Sequence, residues 1–224
     1  MLSRRFIQVA GLCFAVSSIT TLGLIFLPAV PARHADFEAR TRLIFNPIYM
    51  TRRWIALVHP LIVVIGALGV AAVRFREAAG TAMTGFLFFF VWASTEAIKQ
   101  ALTLVAVDWT WRPQYVMAAT DAERAIARNY IVGFEPLSDG LFFLLDLAFI
   151  CANVLYVRAV WGRPVMQRVV AVCFGVGALL GIVSIITSFG GEVLPARVMD
   201  VLYPALQPAA RFLIGFWLIR SGKQ

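Results

Sequence analysis

Residues 86–111, FLFFFVWASTEAIKQALTLVAVDWTW, form one apolar run with Glu96, Lys99 and Gln100 at its middle. About 20 residues at ~1.5 Å each cross the hydrocarbon core of a bilayer, so the run predicts a membrane-spanning helix. Charges at mid-depth cost roughly 2.5–3.5 kcal/mol each on insertion scales. The folded chain has to offset that cost.

Of the 224 residues, 61% are hydrophobic and only 14% charged, and the mean hydropathy is +0.82. A soluble domain could not cover its surface with so few polar residues. The expected fold is all-α: a single integral membrane domain over 1–224. Its six transmembrane helices are expected at about 6–31, 54–73, 81–107, 141–160, 169–189 and 201–219. Arg4 and Arg5 ahead of an apolar run resemble a secretory leader, with small residues near 29–35 as a cleavage site. The run exceeds the usual leader core of about 7–15 residues, so a retained first span is expected. Residues 32–53 carry Phe37, Phe45, Tyr49 and several arginines, which predicts a short surface-lying helix before Asn46-Pro47. Thr120 and Glu123 have capping-box spacing and open a second such helix, expected to end before Glu135-Pro136. Gly177, Gly181, Ser184 and Ser188 make a small-residue stripe suited to close helix contact in lipid.

The net charge of +8 concerns topology before partners. Call the face holding Arg4 and Arg5 side A, and the opposite face side B. Six spans put nine Lys/Arg and one acid on side A, against nine arginines and nine acids on side B. The side-A basic residues crowd short loops and helix ends, where they weigh most in orientation. Side A, with both termini, is therefore expected in the cytoplasm of an inner (plasma) membrane. The charge carries no aromatic-basic binding module, so no nucleic acid is expected. Membrane lipids are the expected surroundings, with a small polar or amphipathic ligand, membrane-protein partners or further copies of the chain as candidate partners. Cys13, Cys151 and Cys173 all lie in apolar runs and read as small buried hydrophobes. His34 and His59 are too few for a haem ladder or a zinc cage, and no cofactor is expected.

Counted from side B, Glu96, Lys99, Asp146, Arg211 and His59 fall in one layer roughly 8–17 Å deep. The faces agree, because Glu96, Lys99 and Gln100 share a helical stripe, as do Gln207 and Arg211, and Asp146 and Asn153. Pro204 and Pro208 free backbone carbonyls, which membranes tolerate only against protein or a wet cavity. The candidate binding residues are His59, Glu96, Lys99, Gln100, Asp146, Asn153, Gln207 and Arg211, with no metal ligand among them. Glu96 and Asp146 balance Lys99 and Arg211, so these charges alone could form an ion-pair network that only holds helices in register. The expected pairing sets Arg211 against Asp146 or Glu96.

A neutral set with acidic and basic ends suits binding or transport of a small polar or amphipathic solute, or of a proton. Two other classes fit the same residues: a structural subunit of a larger membrane complex, and a lipid-modifying enzyme using His59, Glu96 and Asp146 as acid–base groups. No hydrolase, P-loop, Rossmann or intramembrane-protease motif is present, which leans against an enzyme.

Overall fold

The computed structural model describes residues 3–27, 36–191 and 196–222, with the side chains of 196–200 excepted, and every regular element in them is helical. The leader-like residues 29–35, His34 included, lie outside the described residues.

Four of the helices start at a side chain that caps them. Ser3 Oγ accepts from the Phe6 amide at 3.2 Å and opens α1 (Arg4–Phe26). Asp36 caps α2 (Phe37–Arg42), and a 3-10 turn, Leu43–Phe45, leads to Asn46. Asn46 Oδ1 accepts from Ile48 at 2.9 Å, with Pro47 at the first helical position, where its missing N–H costs nothing. The helix so opened, α3 (Pro47–Leu102), is broken only at Ala78 (φ −146, ψ 44). There the chain doubles back, as Trp54 and Trp109 lie ring to ring at 5.9 Å and Tyr49 bonds Asp108 across the hairpin at 3.3 Å. The expected second and third spans are thus two arms of one hairpin, 47–77 and 79–102, without a separate loop.

The second arm continues as a π-helix, Thr103–Trp111, and then α4 (Arg112–Met117). The capping box at Thr120 and Glu123 forms, with reciprocal bonds of 3.2 Å. The helix it opens does not stop before Pro136, as the sequence reading expected: α5 runs unbroken over Asp121–Val160. A proline inside a helix costs about 3 kcal/mol. Tertiary anchors offset it here, because Ile131 and Ala127 are buried about one and two turns earlier and Glu135 takes a 2.7 Å bond from Arg40. After Pro164 comes α6 (Val165–Phe189), then α7 (Ala196–Ser221) with Pro204 and Pro208 inside.

These helices pack as a ring in the order α1, first arm, second arm, α5, α6, α7, with α7 closing on α1. Glycines permit the closest approaches. A methyl at Gly11 would meet the Gly215 carbonyl oxygen at 2.7 Å, and one at Gly177 would meet Asn153 Oδ1 at 2.6 Å. Toward side A the interior is an aromatic stack: Phe89 and Phe174 lie 5.2 and 5.1 Å from Tyr156, whose hydroxyl donates to the Ala67 carbonyl at 2.7 Å. The outside is as apolar as the inside, with Ile19, Leu87, Val172, Leu179 and Phe212 all more than half exposed. Among the described residues, four stretches are long and apolar enough to cross a membrane: α1, Pro47–Met117, α5 and α6. A surface of that kind is compatible with lipid as solvent.

Candidate functional site

Above the aromatic stack, in the side-B half, the ring encloses a cavity of about 270 Å³. Trp92 and Phe149 join it to the stack, and its walls reach Ile25 and Arg52 at the side-B ends of α1 and α3. His59, Glu96, Asp146, Gln207 and Arg211 line it, brought together from both arms of α3, α5 and α7.

On one wall stands a directed relay. Arg211 Nη1 lies 2.5 Å from His59 Nε2, and His59 Nδ1 lies 2.6 Å from Thr20 Oγ1, which is 3.1 Å from the Ser17 carbonyl. A guanidinium only donates and a carbonyl only accepts, so the directions are determined. Arg211 donates to Nε2, the proton of a neutral imidazole sits on Nδ1 and goes to Thr20, and Thr20 donates to Ser17. Arg52 stands on the same wall, with its Nε donating to the Leu24 carbonyl at 3.0 Å.

The opposite wall is acidic. Glu96 accepts from Gln100 Nε2 at 2.8 Å, one turn along the second arm. Asp146 accepts from Ser184 Oγ of α6 at 2.7 Å. The expected pairing of Arg211 with Asp146 or Glu96 does not occur: among the described residues no carboxylate lies within salt-bridge distance of Arg211. Its Nη1 bonds His59 instead. Lys99 sits with its Nζ 5.2 Å from the centre of the Phe142 ring and does not line the cavity. Gln100 is set behind Glu96, and its buried Oε1 has no hydrogen-bond partner. Asn153 lies a level deeper, donating to the Phe149 carbonyl at 2.7 Å and bordering a separate small void.

Ser184, Tyr203, Arg52 and Thr20 complete the arrangement and were not candidates from sequence. Neutral hydroxyl residues are common in spans, and Arg52 reads as an anchor at the membrane surface. A second buried cluster was also missed. Asp108, its side chain wholly buried, lies 2.6 Å from Arg112 Nη1 and 3.0 Å from Arg53 Nε, and Tyr49 Oη accepts from both arginines at 2.7 and 2.8 Å. It ties the start of α3 to the residues just past the expected end of the third span. The only hint was Asp108 and Arg112 at i, i+4.

The described residues contain no group of three or more His, Cys, Asp or Glu able to hold a metal ion. What the cavity offers is two walls of opposite charge. No protein-family model, curated protein or solved structure matches this chain.

Proposed function

We propose that the chain is a six-span inner-membrane protein whose cavity binds a small polar or amphipathic solute, or a proton, and moves it from side B. The six spans are α1, the two arms of the hairpin, α5, α6 and α7, with both termini cytoplasmic by the charge count. One observation carries the reading: Arg211 and Arg52 face Glu96 and Asp146 across an open space, with no ion pair joining the walls among the described residues. A purely structural set of charges in lipid gains most by direct pairing, because each unpaired charge costs free energy. Walls held apart, each steadied by its own neutral partner, instead leave their fields to a third party.

The test is access. Ser184→Cys, in a background where Cys13, Cys151 and Cys173 are alanine, should react with the impermeant cation MTSET, while Leu179→Cys on the lipid-facing side of α6 should not. A Ser184→Cys protein that is folded yet inert to the reagent would sink the reading that a solute enters from side B.

A further inference from the structure

The molecule carries a second large space, and its position bears on what the cavity holds. A groove of about 520 Å³ runs between α6 and α7, lined by Val169, Val172, Leu206 and Leu213, with Arg168 toward side A. It is apolar and faces outward, because Val172 is 56% exposed. Between groove and cavity lies a void of about 30 Å³. The void shares Cys173, Val176 and Ala210 with the groove, and Gly177, Gln207 and Arg211 with the cavity. The three spaces therefore follow one another along a single face of α6, from Val169 through Val176 to Ser184. From the middle of the groove to the middle of the cavity is about twelve residues, or ~18 Å.

We infer that the occupant is a membrane amphiphile that enters sideways, its single tail in the α6–α7 groove and a zwitterionic head in the cavity. The inference rests on the proposed reading of the cavity as a binding site. A water-soluble solute has no use for an apolar groove joined to its site. A lipid tail without a head would leave both charged walls uncompensated. The wall of Arg52 and Arg211 suits an anionic group such as a phosphate, bound by donors in a planar fork. The wall of Glu96 and Asp146 suits an ammonium. A phosphate and an ammonium on one short head satisfy both at once. The head then lies in the side-B half and the tail in the side-A half, so the bound amphiphile would cross the middle of the bundle along α6.

The experiment uses the full chain in maltoside micelles and tritiated palmitoyl-lysophosphatidylethanolamine, read by scintillation proximity. Wild type should bind it saturably. Glycerophosphoethanolamine, the head alone, and lysophosphatidylglycerol, the same tail without the ammonium, should each compete about tenfold more weakly or worse. Val176→Trp at the junction and Ala209→Trp in the groove should each weaken binding by about tenfold, and Leu179→Trp on the outer face should not. Each variant is checked for folding by size exclusion and melting, and either groove variant suffices if the other misfolds. Should the head alone compete as well as the lysolipid while both groove variants bind normally, the sideways amphiphile is wrong and the cavity reading survives. Should the lysolipid fail to bind saturably, the inference also falls. The Ser184→Cys reactivity then shows whether the cavity reading falls with it.

Discussion

His59 illustrates how much a single side chain's partners can decide. Its ring lies between a group that can only donate and a hydroxyl already committed to a carbonyl, so its tautomer follows from geometry. Nitrogen-15 spectra of ring-labelled protein at neutral pH should show Nδ1 protonated and Nε2 bare. The reverse tautomer would mean that Arg211 is not bonded to the ring. Removing the acceptor by His59→Ala leaves a buried guanidinium short of a partner, at a cost of about 1.5–3 kcal/mol. A double-mutant cycle should show Arg211 coupled to His59 more strongly than to Glu96 or Asp146. This partnership was not legible in the sequence. Counting residues from the ends of an apolar run gives depth, and depth is what set His59, Glu96, Asp146 and Arg211 in one layer. It does not give the direction each side chain takes around the bundle axis, and so the expected ion pair was misassigned. Ser184 and Tyr203 carry no charge that would mark them in an apolar span, and they came to light only in three dimensions.

At the scale of the helix, the reversal at Ala78 and the π-turns of 103–111 matter most. A hairpin made without a loop gives its arms little freedom to slide, and the Asp108 cluster ties their far ends. Breaking that tie strands two buried guanidiniums. Asp108→Ala should destabilise the protein by about 3–5 kcal/mol, and a cycle of Asp108 with Arg112 should show strong coupling. The exposed pair Asp121 and Arg124, 3.7 Å apart one turn into α5, should show no measurable coupling. Equal coupling in the two pairs would mean that the Asp108 cluster is not buried. The capping box announced where α5 begins, because Thr120 and Glu123 act through bonds to their own neighbours. Helix continuity depends on distant contacts, such as Arg40 with Glu135, which is why Pro136 looked like a stop. The π-helix has no sequence signature at all, since one residue more per turn leaves the apolar pattern nearly unchanged.

The whole molecule is a ring whose two ends meet. A side chain at Gly222 would touch Gln8 and Arg4, so the start of α1 and the end of α7 lie on one face. Under the proposed topology that face is cytoplasmic. On intact cells an impermeant maleimide should label Ala119→Cys and spare Ser221→Cys, and the opposite pattern would invert the topology. The all-helical, strongly apolar character was legible from composition alone, as 61% hydrophobic residues suit helices with lipid as solvent. The closing of the ring was not, because nothing in the order of the spans says that α7 returns to α1. That closure orders events during synthesis. Tyr203, Gln207 and Arg211 arrive with α7, the final wall of the ring. Until it docks through Gly215 on Gly11, the acids of the far wall face whatever lipid or water fills the open side, and His59 waits without its donor. Under the proposed six-span reading, a nascent chain passes through a stage in which five helices are in the membrane and the site does not yet exist. The seam between α1 and α7 is where an unfinished molecule differs from a finished one.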